Sequence, residues 1–339
     1  MAMLTLHIVL SSIFHLFTAF SLIFCPLYIA LGWLVSVEYC FYAAITVLAG
    51  ALLALLVFRI RRTDKQQLET FKGSGWPSSN IAHRGGATEA PENTLVAFKE
   101  ASKNGSKFVE MDLEMTKDGI PVILHDATLD RTTDGTGPIK NYTLAEVVRL
   151  NAAAKHQLRD QFAHATIPTL EEATVECLGL GLKIFFDVKD WSDKMVNTLV
   201  DLYRRHPALY ERAMVCSFFP PLIYKLRRKD STILTGLTSS HNFLENNFTT
   251  ETDPFWKRCL AAAGDYVLMW SHEAWLWLLC GNATVLLNKK SVHQATVDYW
   301  NQRGIQTVVW TVNEPVEKEY FHKSLECGVI SDSVLATKT

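Results

Sequence analysis

Along the 339 residues the rhythm of apolar positions changes near residue 60. From 4 to 58 they run almost unbroken, with Glu38 as the sole formal charge. One bilayer crossing needs only ~20 such residues, so the pattern predicts a membrane anchor over 1–62. Leu4 to Cys25 reads as one span and Phe41 to Phe58 as a second, divided near Pro26 and around Glu38. A single span with a flanking interfacial segment is the alternative. A cleaved signal peptide fits less well, because the amino terminus has no basic region and the apolar stretch is too long. Residues 63–79, with Lys72-Gly73-Ser74-Gly75-Trp76-Pro77-Ser78-Ser79, read as a linker.

From residue 80 onward short apolar runs alternate with stretches of helical period. The runs predict strands around Asn80 to His83, Phe108 to Leu113, Pro121 to His125, Lys183 to Lys189, Ala213 to Phe218, Thr232 to Leu237, Tyr266 to Trp270 and Gln306 to Val312. Helices are expected at Thr94 to Asn104, Thr169 to Leu178, Ser192 to Arg205, Pro221 to Lys229 and His293 to Arg303. Strands alternating with helices imply a parallel sheet, and eight units imply closure into an α/β barrel over 80–339. Tyr266 to Leu287, with Trp270, Trp275 and Trp277 among long aliphatics, is apolar enough to pass for a membrane helix. A crossing there would part the eighth strand from the first, so the stretch reads as a strand followed by an apolar loop or helix able to touch a membrane surface.

The chemistry concentrates between His83 and Asp126. His83 follows Ile81-Ala82 and precedes Gly85-Gly86, where a strand gives way to a turn that lets backbone approach a ligand. Arg84 offers a planar charged fork suited to two phosphate oxygens. In Val109-Glu110-Met111-Asp112-Leu113 the strand period puts both carboxylates on one face, where they repel unless a cation lies between them. Hard oxygen ligands suit Mg²⁺, or alternatively Ca²⁺. Ile120 to Leu124 delivers His125 at its end, and Asp187 and Lys189 again share a strand face, a third metal carboxylate with a phosphate-binding or charge-balancing partner. Singly, each is commonplace: a histidine at a strand end is more often structural, and Glu-x-Asp is often a solvated face. Their close succession, all at the carboxyl ends of strands together with Trp310, gives the pattern its weight.

The series His83-Arg84-Gly85-Gly86, Pro91-Glu92-Asn93-Thr94, Glu110-Met111-Asp112, His125-Asp126, Asp130-Arg131-Thr132-Thr133-Asp134-Gly135-Thr136-Gly137 and Trp310-Thr311-Val312-Asn313 resembles the glycerophosphodiester phosphodiesterase family from about Asn80 to Ser333. With its apolar amino terminus the chain is most similar to the family's membrane-bound glycerophosphoinositol-cleaving members in animals. The resemblance implies a TIM barrel, a divalent metal on Glu110, Asp112 and Asp187, and hydrolysis of a glycerophosphodiester to sn-glycerol 3-phosphate and an alcohol. Soluble members commonly carry Glu where Asp187 stands. His83 is then read as the base and His125 as the acid, Arg84 and Lys189 as phosphate-binding groups and Trp310 as a pocket residue. The implied nucleophile is the neighbouring glycerol hydroxyl, passing through a cyclic phosphate. Implied substrates are glycerophosphoinositol, N-acyl glycerophosphoethanolamines and lysophospholipids, and an implied partner is a G-protein signalling regulator. The alternatives are a lysophospholipase D and a non-catalytic membrane scaffold.

Composition adds limits. A formal charge of −2 gives no electrostatic case for a nucleic-acid partner. Seven dispersed cysteines without a Cys-x-x-Cys pair describe neither a zinc site nor a disulfide framework. Arg59, Arg61, Arg62 and Lys65 would place the catalytic part in the cytosol by the positive-inside rule. Against this, glycosylation triplets begin at Asn104, Asn141, Asn247 and Asn282. With the resemblance, these favour a lumenal or extracellular catalytic part.

Overall fold

The computed structural model describes residues 37–162, 165–250 and 252–335, together with Ser11 and Thr18. The expected span from Leu4 to Cys25 otherwise lies outside them. The chain divides into two compact units, Arg62–His241 with Asn282–Thr339, and Met1–Arg61 with Asn242–Gly281.

The larger unit is a closed parallel barrel. Its strands are β1 (Ile81–Ala82), β2 (Phe108–Met115), β4 (Lys183–Val188), β5 (Ala213–Ser217), β6 (Leu234–Ser239), β7 (Thr284–Asn288), β8 (Gln306–Trp310) and β9 (Gly328–Ser331). They pair in the order β1-β9-β8-β7-β6-β5-β4-β2, and β1 closes on β2. A further strand, β3 (Pro121–Ile123), pairs antiparallel to β2 outside the ring. Helices between the strands include α3 (Leu95–Lys103), α4 (Leu170–Gly179), α5 (Asp193–Arg205), α6 (Pro220–Lys229) and α9 (Gln294–Gln302). Their starts follow local chemistry: Thr169 and Glu172 form a capping box on α4, and Ser192 caps α5.

On the two strands that carry the acidic residues, an aromatic residue on the inner face directly precedes the carboxylates. On β2 the series is Phe108, Glu110, Asp112, and on β4 it is Lys183, Phe185, Asp187. Ile81, Phe108, Phe185, Met214, Leu234, Leu286, Val308 and Ile330, one from every barrel strand, make a single buried cluster. Below them lies α2 (Lys65–Lys72), within the stretch expected to be a linker. Its Leu68 and Phe71 are buried in that cluster, with the Phe71 ring 5.3 Å from Phe185 and 5.9 Å from Phe108, edge to face. Lys183 Nζ donates to Thr70 O (3.0 Å) and Phe71 O (2.5 Å), tying α2 to the foot of β4.

Two of the expected barrel strands are replaced. Pro121 to Ile123 is the antiparallel β3, and Tyr266 to Trp270 lies inside a helix. The ring is completed instead by β7 and β9. Short apolar runs carry no period that separates a buried strand from a buried helix, and Ala261-Ala262-Ala263 ahead of Tyr266 favours the helix. Of the glycosylation triplets, Asn282 is buried, with its Nδ2 donating to Thr284 O at 2.7 Å, which leaves no room for a glycan; Asn141 and Asn247 are exposed.

The smaller unit contains α1 (Val37–Phe58), α7 (Phe243–Phe248) and α8 (Phe255–Ser271), the last continuing through a wider turn at His272–Leu276 into Trp277–Cys280. Among the described residues one helix is long and apolar enough to cross a bilayer, Phe41–Phe58, with mean hydropathy 2.5 and none of it buried. Within this unit Ile60 N donates to Leu279 O at 2.9 Å. Gly281, at φ +63°, ends the helical run so close to Ile60 O and Arg61 O that a Cβ would meet them at 2.9 and 2.8 Å.

Truncating Phe71 removes the centre of the barrel floor. We expect Phe71→Ala to destabilise the protein by about 3–5 kcal/mol; a denaturation midpoint matching wild type would show that α2 is not part of the core.

Candidate active site

The register of two neighbouring strands makes the site. β2 and β4 pair with Asp112 directly beside Asp187, and Glu110 precedes Asp112 by one strand period on the same face. One oxygen from each of Glu110, Asp112 and Asp187 lies within 4.8 Å of the others. All three face a cavity of about 160 Å³ whose wall also includes His83, Arg84, His125, Trp310, Phe218 and Cys216. Phe218 and Trp310 meet edge to face at 5.7 Å and form an aromatic side of the cavity.

Charge in this cluster is unbalanced. Burial, then the charges of Asp112 and Asp187, push Glu110 well above the usual carboxylate range. Burial lifts Asp187 to about 7, Asp112 adding to it against Lys189. Burial also works against Asp112, but Lys189, His125 and Arg84 outweigh it and hold that carboxyl low. Lys189 Nζ sits 3.1 Å from Asp112 Oδ1 and donates also to His125 O, and Lys189 is not among the residues of the cavity wall. Asn93 grips Asp112 from both ends, Nδ2 to Oδ2 at 2.9 Å and Oδ1 from the backbone N at 3.2 Å. The donor set fits a hard divalent cation: oxygen ligands only, gathered on adjacent strands, with two carboxyls raised by burial and by the charge of Asp112.

His83 and His125 share one arrangement reached by two routes. His83 leaves β1 into a turn whose next residue, Arg84, has φ 55° and donates its backbone N to Glu110 Oε2 at 2.8 Å. His125 returns on the antiparallel β3, Leu124 N bonding Asp112 O at 3.0 Å, so the ribbon folds it back to the same mouth. Each ring has Nδ1 on a carboxylate at 2.5 Å: Asp332 for His83 and Asp126 for His125. Each Nε2 lies 4.0 Å from a cluster oxygen, on Glu110 and Asp112 respectively. A carboxylate on Nδ1 fixes the proton there and leaves Nε2 as the nitrogen that exchanges one.

Arg84 is held by Glu92, Nη1 to Oε1 at 2.9 Å, with Nε 3.6 Å from Asp112 Oδ2. Glu92 in turn accepts from both Nη atoms of Arg131 at 2.7 and 2.8 Å, and Arg131 Nε reaches Asp126 at 2.6 Å. One chain of charge therefore links the Arg84 fork to the carboxylate orienting His125. Asp332, which Asn313 Nδ2 also contacts at 2.7 Å, has no place among the candidates that the sequence pattern supplies. It ends the short apolar strand Gly328–Ser331, the same strand-end signal as the others on a run too brief to stand out.

A carboxylate cluster flanked by oriented imidazoles at the carboxyl mouth of a closed parallel barrel lies where such barrels carry their active sites. Comparison with known proteins supplies the class. Residues 83–336 match the glycerophosphoryl diester phosphodiesterase family, from His83 through Asp332. The chain is 46% identical over 261 residues to glycerophosphodiester phosphodiesterase 1 of Bos taurus, covering 76% of this chain and 78% of that protein. To the Homo sapiens protein of the same name it is 45% identical over 259 residues, with the same coverage of 76% and 78%. Among solved structures it is similar to an Oleispira antarctica phosphodiesterase in complex with the product sn-glycerol-3-phosphate, TM-score 0.61 at 25% identity, covering 76% of this chain and 94% of that one. The fold also matches a Silicibacter pomeroyi structure at TM-score 0.60 and 22% identity, covering 79% and 94%. The protein is thus a barrel phosphodiesterase, an enzyme. It belongs to the glycerophosphoryl diester phosphodiesterase family.

The raised carboxyls give a signed pH effect. Asp187 has an ordinary value of 3.8 and lies at about 7 in the fold. In cation-free protein its protonated form favours the folded state fully at low pH, and that contribution is lost as pH rises through about 7. A divalent cation takes the deprotonated form. The gain in melting temperature on adding Mg²⁺ should therefore be larger at pH 7.5 than at pH 5; a gain independent of pH would mean the ion binds elsewhere.

Proposed function

We propose that this chain hydrolyses glycerophosphodiesters, glycerophosphoinositol and N-acylated glycerophosphoethanolamines among them, to sn-glycerol 3-phosphate and an alcohol. The observation that carries this is the meeting of the acidic cluster with two imidazoles, each held at Nδ1 by a carboxylate, around one small cavity. Glu110, Asp112 and Asp187 hold Mg²⁺, or Ca²⁺ as the alternative. When bound, the cation supplies a Lewis acid for a phosphate oxygen.

The remaining work falls to the chain itself. Arg84 presents Nη2 to a second phosphate oxygen while Glu92 keeps its plane fixed. Lys189 offsets the charge of Asp112, and through it the cluster, rather than touching phosphate. His83 takes a proton at Nε2 from the attacking glycerol hydroxyl, which bonds to phosphorus as a cyclic phosphate while His125 gives a proton from Nε2 to the departing alcohol oxygen. A water that loses its proton to His125 then opens that ring, and His83 returns its proton to the glycerol oxygen to leave sn-glycerol 3-phosphate. Asp332 and Asp126 hold the two rings so that these nitrogens face the reacting atoms. Trp310 and Phe218 line the side of the cavity available to the carbon skeleton of glycerol. The Oleispira antarctica structure with sn-glycerol-3-phosphate supports a product of that size here.

The protein is held in a membrane by α1, with the barrel on the lumenal or extracellular side; the exposed triplets at Asn141 and Asn247 support that side. A second reading, lysophospholipase D acting on membrane lysophospholipids, is favoured by the apolar exposed positions of α8.

Release of glycerol 3-phosphate from glycerophosphoinositol should be abolished by EDTA and restored by Mg²⁺. His83→Ala and His125→Ala should each lower kcat by about 10²–10⁴-fold; activity equal to wild type in either would remove the mechanism. Release from acylated lysophospholipid alone would select the second reading. In sealed vesicles, glycosidase should shift the protein's mobility and protease added outside should spare the barrel; cleavage without a glycosidase shift would reverse the assigned side.

A further inference from the structure

The crossover from β6 to β7 leaves an uncovered apolar face. On α8 the exposed positions include Phe255, Trp256, Cys259, Leu260, Tyr266 and Val267, with two alanines between them, and Arg258 is the single charged one. The five largest of these side chains are 46–81% exposed. At 100° per residue they fall on one contiguous side of the helix. Its other side is committed to protein. Asp265 is buried and accepts from Leu244 N at 2.7 Å and Glu245 N at 3.0 Å, capping α7, while Gly264 brings α8 against Leu244. Soluble chains rarely leave so continuous an apolar face in water.

We propose that α8 lies in the plane of the membrane with this face embedded in a lipid surface. The same compact unit contains α1 and places the end of the α8 run against the end of α1. Ile60 N bonds Leu279 O at 2.9 Å, and Gly281 abuts the carbonyls of Ile60 and Arg61. When α1 crosses a bilayer, Arg59 and Arg61 after Phe58 mark the headgroup depth. The run beginning at Phe255 is therefore pinned at that same depth at its carboxyl end. Two features select an in-plane position over a second crossing. Only one side of α8 is apolar and exposed, where a spanning helix would be so all round, and Lys257 and Arg258 occupy its first turn, just after Asp253. Trp256 and Tyr266 on the embedded side are the residue types that interfaces favour.

Cys259 lies in the middle of this face and provides the probe. The full chain, with Cys25 and Cys40 changed to Ser, is labelled at Cys259 with bimane and reconstituted in phosphatidylcholine–phosphatidylserine vesicles; Cys177, Cys216, Cys280 and Cys327 are buried. A control carries Cys259→Ser and Glu211→Cys, an exposed position on the barrel. Lipids bearing a doxyl group near the headgroup should quench the Cys259 label at least several-fold more than the Glu211→Cys label, and aqueous iodide should show the reverse order. In the triple variant Phe255→Ser, Trp256→Ser, Leu260→Ser the lipid quenching should fall toward the control. Iodide quenching of the wild-type Cys259 label in vesicles would overturn the proposal. Quenching by neither agent would overturn it too, since that is the result expected if a second copy of the chain covers the face.

Discussion

Everything at the mouth of the barrel depends on like charges held together. The β2–β4 register sets Asp112 beside Asp187, and the strand period adds Glu110 to the same face. Left alone, such a cluster would be pushed apart or neutralised by protonation, and the raised Glu110 and Asp187 record that pressure. Strands cannot yield to it. Each is hydrogen-bonded on both sides in a closed ring, and the aromatic layer of Phe71, Phe108 and Phe185 packs directly beneath the acidic one. The strain of the site is therefore borne by the whole ring, and a cation is the natural means of relieving it.

Around that cluster the chain distributes compensating charge unevenly. Of the three, only Asp112 is in direct contact with Lys189, Asn93 and the Arg84 guanidinium, and only its carboxyl is held low. Glu110 receives a backbone N–H, from the residue after His83. One carboxyl is thus held low by its neighbours, while burial holds the other two raised. The imidazoles are treated alike, each clamped through Nδ1, yet their clamps differ. Asp126 belongs to the Arg131–Glu92–Arg84 chain, whereas Asp332 is held by Asn313 and the turn after β9. The two rings therefore share one geometry and differ in what backs their clamps.

How much of this is legible in the sequence follows from how local each signal is. His83, Arg84, Glu110, Asp112, His125 and Asp187 stand beside apolar runs with a clear strand period or a turn signal, and the structure gathers them around one cavity. Asp332 follows a four-residue strand with no period to read, and its meaning arises only when β9 closes onto β1, a pairing between Ile81 and Ile330 that local sequence does not encode. Lys189 shows the converse limit. That it shares a face with Asp187 is readable, but whether its ammonium turns toward phosphate or toward Asp112 depends on a neighbouring strand. The stretch around Lys65–Lys72 reads as a linker because its apolar residues are few, Leu68 and Phe71 among polar ones. Those two are the ones that seal the barrel floor.

The apolar run from Tyr266 to Leu287 is the hardest to read, because two unrelated demands are written into it. Tyr266 to Cys280 is helical and belongs to the smaller unit, where apolar side chains are displayed outward on one side and packed inward on the other. Val285 to Leu287 is a barrel strand, where the same residue types are buried on both faces because parallel strands are covered by helices as well as by the core. A window long enough to span a bilayer sums the two and finds one membrane-like segment. The boundary between them is carried by Gly281 and Asn282, one allowing left-handed backbone against the Ile60 and Arg61 carbonyls and the other turning its amide back onto Thr284 O. Averaging over residue types erases such a boundary. Backbone chemistry at two small polar or glycyl positions keeps it, since only there does the chain exchange a helical hydrogen-bond pattern for a ladder.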